Sequence, residues 1–144
     1  MLSSGYLSAF GAAITWGLVY AIDEKILAGV SPVSLVFIDS CLMALFMLPF
    51  ILINRGFLQE VSTATKLQWP LMIVAVLLAL GANFLILSAI KLLGASNASI
   101  IEIAYPFFVV LFSFIMFRAV PNAYFFLGGS LIFIGSLILM KFAS

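Results

Sequence analysis

Histidine is absent from the 144 residues, cysteine occurs once, and charge is scarce, with 6 Lys+Arg and 5 Asp+Glu making up 8% of the chain. Each shortage excludes something. A soluble domain carries roughly 25% charged residues to cover its surface. A disordered chain needs low hydrophobicity and high charge, the reverse of what stands here. With no His and only Cys41, neither a disulfide framework nor a Cys/His metal cluster can form within one chain. A net charge of +1 without a basic run provides nothing to grip phosphate backbones, which argues against nucleic acid as a partner. No Ser or Cys nucleophile stands beside a base, so intramembrane catalysis has no candidate residues and no cofactor is called for.

What is abundant is apolar: 66% of residues are hydrophobic and 15% aromatic. A bilayer core of about 30 Å takes about 20 apolar helical residues to cross. Five stretches qualify, over about 5–22 (extensible to 28), 32–53, 69–90, 98–117 and 122–142. Lipid leaves backbone groups no outside partner, so spanning segments are helices or closed barrels, and barrel-type alternation is not visible. The expectation is an all-α integral membrane protein, a single five-helix transmembrane domain over 1–144, with the lipid bilayer as its surroundings.

Proline and glycine mark the ends. Pro32, Pro70 and Pro121 sit where first helical turns begin, and Ser31 is a natural cap for the second segment. Gly29, Gly56 and Gly94 follow the first three segments, where a left-handed residue is wanted. The one long polar connection is Asn54–Gln68. Lys and Arg balance across the membrane, with Arg55, Lys66 and Arg118 on the N-terminal face against Lys25, Lys91 and Lys141 on the other, so neither orientation is preferred.

Few residues inside the spans could bear chemistry. Asp39 lies about two turns into the second segment, too deep to cap it, and an ionisable group there normally faces a bundle interior or a watery cavity. The alternative is an aspartate near the membrane edge, satisfied by water or a structural hydrogen bond. Glu102 precedes Pro106 by four residues, and a proline has no N–H for the carbonyl of residue i−4, so a kink with a loose Glu102 carbonyl is expected. A carboxylate beside such a kink suits a cation or proton site. Ser99-x-x-Glu102 also fits a capping box, which would place Glu102 at the surface, while Ser96 or Asn97 as cap would bury it a turn deeper. Counted from the face opposite the N-terminus, Asp39, Glu102, Asn83 and Trp16 fall in one layer about five to eight residues deep, with Tyr20 and Tyr105 near it. These six form the candidate substrate- or proton-binding set, with interface-belt or packing roles as the alternative for the aromatics.

In the fifth segment, Gly128, Gly129, Gly135 and Ser136 make a smooth stripe two turns long, a packing face on which membrane helices approach closely. Ser4, Ser8, Gly11 and Thr15 make a weaker one. Cys41 reads as a small buried hydrophobe.

Thr15-Trp16-Gly17, the stretch Gly94-Ala95-Ser96-Asn97-Ala98-Ser99, Tyr105-Pro106-Phe107-Phe108 and Gly128-Gly129 to Gly135 together resemble an EamA domain of the drug/metabolite transporter superfamily over essentially the whole chain. The resemblance implies a carrier fold, in which two such five-helix units stand as inverted repeats around a central pathway. This chain holds one unit. The expected function is therefore a secondary, proton-coupled transporter of a small metabolite or drug-like solute in a prokaryotic cell (inner) membrane. It would work as an antiparallel homodimer with Asp39 or Glu102 exchanging protons. The alternatives are a non-transporting scaffold or accessory subunit, and a subunit of a lipid-linked headgroup flippase.

Overall fold

In the computed structural model, described over residues 4–53, 56–120 and 122–142, the chain is helical, with no strand among the described residues. Seven helices follow one another: α1 (Ser4–Leu27), α2 (Pro32–Ile53), α3 (Phe57–Thr63), α4 (Gln68–Leu93), α5 (Ala95–Glu102), α6 (Tyr105–Phe117) and α7 (Ala123–Phe142). With α5 and α6 taken together, five spans are long and apolar enough to cross a membrane. The protein is thus a polytopic all-α membrane protein.

The second span starts and ends at the expected residues, and Ser31 caps it: its Oγ accepts the Ser34 N–H at 3.1 Å and its carbonyl the Leu35 N–H at 3.0 Å. Other boundaries move. The first span runs on to Leu27, because the charged turn after residue 22 stays helical with Asp23 and Leu27 buried and Lys25 near the negative end of the helix. The third span begins at Gln68 and ends at Leu93, and the connection before it contains α3, a short helix closed by Glu60 N–H to the Gly56 carbonyl at 2.9 Å. Of the three glycines expected to be left-handed, only Gly94 has a positive φ, +81° with ψ 158°. Gly56 stands at φ −79° because it opens α3 rather than closing α2. Pro121, expected to start the fifth span, and Asn54 and Arg55 lie outside the described residues.

The chain divides into two compact units. The first comprises residues 1–28 and 89–144, hence α1, the last turn of α4, α5, α6 and α7; the second comprises residues 29–88. In the first unit α5 packs against both α1 and α7, and α6 against α7. Its core holds Leu27, Ile90, Ala95, Ala98 and Ala104, mostly small residues that let helices meet closely where hydrophobic drive is lacking. The second unit contains α2, α3 and most of α4, with Leu35, Val36 and Leu87 buried. Cys41, on α2, is exposed rather than buried.

Candidate functional site: a carboxylate at a broken helix

The fourth span is two helices, and the break falls where Pro106 requires it. Without an amide hydrogen, Pro106 cannot serve the Glu102 carbonyl, and its ring crowds that same carbonyl. The backbone tightens into a turn at Ile103 and Ala104, with Ile103 N–H to Ser99 O at 3.0 Å, Ala104 N–H to Ile101 O at 3.3 Å and Phe107 N–H to Ala104 O at 3.1 Å. Phe107 therefore does not serve the Ile103 carbonyl either. Glu102 is the last residue of α5 and half-buried.

The capping-box alternative fails on register. Helix α5 begins at Ala95, not at residue 98, so Ser99 sits inside it and donates to the Ser96 carbonyl at 3.0 Å. Asn97 donates to the Leu93 carbonyl at 3.1 Å and caps nothing. The Glu102 side chain instead turns to α1, where its Oε2 accepts the Tyr20 hydroxyl at 2.6 Å. That length is at the short end of the range for O–H···O bonds.

One turn back on α1, the Trp16 ring lies 5.7 Å from that of Tyr20, tilted by 53°, and is 53% exposed. A carboxylate and two adjacent aromatic faces all attract positive charge. Trp16, Tyr20 and Glu102 are thus brought together from the six candidates. Tyr105 is close in sequence, at the start of α6, and 60% exposed. Asp39 and Asn83 belong to the second unit. Asn83 is satisfied by its own helix, donating to the Ala79 carbonyl at 2.9 Å. Asp39 is half-buried and has no hydrogen-bond partner among the described residues of its unit.

The stripe on α7 splits in two. Gly129 and Ser136 are buried within the unit, Ser136 donating across to the Ile100 carbonyl at 3.1 Å as well as to Ile132 of its own helix at 3.0 Å. Gly128 is exposed and Gly135 half-buried. A Cβ at Gly128, Gly129 or Gly135 would meet nothing within 4 Å, so packing inside the unit does not demand glycine there. Beside Gly129 an apolar cleft of about 90 Å³ opens between α6 and α7, lined by Phe107, Leu111, Phe114, Phe125 and Phe126. On α1, the hydroxyls of Ser8 and Thr15 bond their own helix, to Ser4 at 3.0 Å and Gly11 at 2.9 Å.

Glu24 was not anticipated. Its Oε2 accepts the N–H of Ala95, the first residue of α5, at 3.0 Å. In the sequence it sits in the run Asp23-Glu24-Lys25, which looks like a solvated helix end. The available signal was negative: Gly94-Ala95 has no side chain able to cap a helix, and an uncapped start must borrow a partner.

Five apolar spans, one of them broken beside a carboxylate, define an all-α polytopic membrane protein. The EamA-like transporter family model matches residues 3–141, and the chain belongs to that family. No curated protein and no solved structure matches it significantly.

Proposed function

We propose that the protein is a proton-coupled secondary transporter of a small metabolite or drug-like solute, acting as an antiparallel homodimer in a prokaryotic inner membrane. The observation that carries this reading is the 2.6 Å bond from Tyr20 to Glu102 beside the helix break. A half-buried carboxylate whose bonded partner is a neutral hydroxyl can take up a proton or a positively charged solute at small structural cost. Trp16 supplies an aromatic wall to the same site, and Asp39 is the second candidate carboxylate. The site's sign favours a cationic or neutral solute over an anion, which weighs against a phosphate-bearing headgroup.

The homodimer rests on three supports. An odd number of spans puts the two ends of the domain on opposite faces, so two copies related by an axis in the membrane plane must be inverted, the geometry of inverted-repeat carriers. The balance of Lys and Arg removes the usual force for one orientation. Gly128 and Gly135 offer a small-residue surface on α7 that the chain's own packing leaves open.

Two experiments test the proposal. In proteoliposomes carrying a pH-sensitive dye, a panel of metabolites and cationic drugs is expected to drive proton movement that Glu102→Gln and Asp39→Asn abolish. Undiminished movement in Glu102→Gln would turn the reading towards a scaffold. For orientation, a single Cys replacing Lys66 on a Cys41→Ala background should label from both sides of intact cells; labelling from one side only ends the dual-orientation claim.

A further inference from the structure

Helix α5 is held to α1 at both of its ends. At its first residue the Ala95 N–H donates to Glu24 at 3.0 Å, and at its last Glu102 accepts from Tyr20 at 2.6 Å. Tyr20 and Glu24 are four apart on α1 and share a face, and the later α1 residue meets the earlier α5 residue, so the two helices run antiparallel. The backbone departs from helix on either side of α5. On one side is Gly94, whose φ of +81° with ψ of 158° only glycine adopts readily; on the other is the turn forced by Pro106. Between them stand eight residues, a short rod with Ala95 and Ala98 buried.

The other capped helices use neighbouring residues. Ser31 caps α2, Thr65 meets the Gln68 N–H at 3.3 Å at the start of α4, and Asn122 meets the Tyr124 N–H at 3.1 Å at the start of α7. Among the described helix starts only α5 takes its partner from a distant helix, and that partner is an anion placed on the positive end of the helix.

We propose that Glu24 is a positioning residue for Glu102: it anchors α5 at the Gly94 pivot and thereby sets where the carboxylate at the other end meets Tyr20. The proposal takes Glu102 to be the site of the proposed transport. Ala95 and Glu102 are separated by seven residues, a lever of about 10 Å. A tilt of about 10° at the pivot would carry Glu102 roughly 1.8 Å, enough to break a hydrogen bond of the observed length. The Ile100 carbonyl, held by Ser136, is a further polar attachment of the rod, to α7. The arrangement is that of an anchor at Glu24, a pivot at Gly94 and a latch between Tyr20 and Glu102, which loading of Glu102 by a proton or a cation would open.

The test uses the full chain in lipid nanodiscs with 3-fluorotyrosine at its 4 tyrosines, the Tyr20 resonance being assigned by Tyr20→Phe. Glu102→Gln marks where that resonance lies once the latch has lost its charge. Glu24→Ala is expected to move Tyr20 towards the Glu102→Gln position while Tyr6 and Tyr124 stay in place. Glu24→Gln, whose amide oxygen can still accept from Ala95, should restore most of the shift. A role in stability alone would lower the melting temperature without moving Tyr20. An unmoved Tyr20 resonance in folded Glu24→Ala overturns the proposal. If that variant does not fold, Gly94→Ala carries the test, since a side chain at a φ of +81° strains the pivot with Glu24 intact; an unmoved resonance there is equally fatal. None of these readouts needs transport. A responsive resonance in a protein whose Glu102→Gln variant still moves protons would leave the positioning role standing and remove the transport reading.

Discussion

Polar side chains in the two units find their partners in opposite ways. In the second unit the side-chain bonds described stay within one helix or its cap: Ser40 to the Val36 carbonyl at 2.7 Å, Asn83 to Ala79 at 2.9 Å, Ser88 to Phe84 at 2.7 Å, and Ser31 with Ser34. In the first unit, by contrast, bonds cross between helices, among them three that join residues 82, 71 and 36 positions apart. Lipid offers no hydrophobic reason for one helix to prefer another, so directional bonds and small-residue contacts choose the neighbours. The first unit is therefore specified by polar chemistry, and the second carries its polar groups as local fittings. Asp39 is the exception, a carboxylate in the second unit with no hydrogen-bond partner among the described residues there.

Four substitutions sharpen or break this contrast. The largest effect is expected from Tyr20→Phe, which strips a half-buried carboxylate of its donor. Hydrogen bonds to charged groups contribute about 1.5–3 kcal/mol in water-soluble proteins, and interhelical bonds in membranes average about 0.6 with a maximum near 1.7. A loss of about 1.5 kcal/mol in denaturant titration is therefore expected, and a double-mutant cycle with Glu102→Ala should assign most of it to the pair. Additive effects in the cycle would mean that the bond does not couple the two helices.

A smaller effect separates two serines of like chemistry. Ser136→Ala loses a bond to another helix and should cost about 0.6 kcal/mol. Ser88→Ala loses a bond only to its own helix and gains helix propensity, so stability should stay within about 0.3 kcal/mol or rise. Equal losses in the two thermal melts would erase the distinction between the units.

The smallest effect is a gain. Arg118 ends α6 in the left-handed region at φ 54°, its N–H meeting the Phe114 carbonyl at 3.0 Å. Arg118→Gly removes that strain and should stabilise by about 0.5 kcal/mol. A loss instead would mean that the guanidinium holds the connection after α6 more strongly than the backbone resists it.

How much of this the sequence disclosed depends on the range of the interaction. The spans were legible because about 20 apolar residues are their own evidence, and the break at Glu102 was legible because proline's missing hydrogen acts over four residues. The shared depth of Trp16, Tyr20 and Glu102 could be counted along each helix. Which of the residues at that depth would meet could not, since depth fixes one coordinate and helix rotation and packing fix the rest; Asn83, at a similar depth, ends on its own backbone. The end of α1 could be placed only between residues 22 and 28, because hydropathy falls at Asp23 while helical hydrogen bonding continues to Leu27. Glu24 was hidden because its partner is a backbone N–H 71 residues away, and backbone groups leave no trace in a residue pattern.

The long separations have a consequence for biogenesis. Tyr20 and Glu24 leave the ribosome well before Glu102 and Ala95, and at roughly 5–20 residues per second an interval of 82 residues lasts roughly 4 to 16 seconds. Through that interval α1 stands in or beside the membrane with a carboxylate and a phenol whose partners are not yet made, and the fourth span then arrives with a carboxylate of its own. Insertion of the two spans is consequently not independent: each carries a polar burden that the other relieves. Arrest of synthesis between them would leave α1 as the segment for a membrane insertase or a quality-control protease to hold.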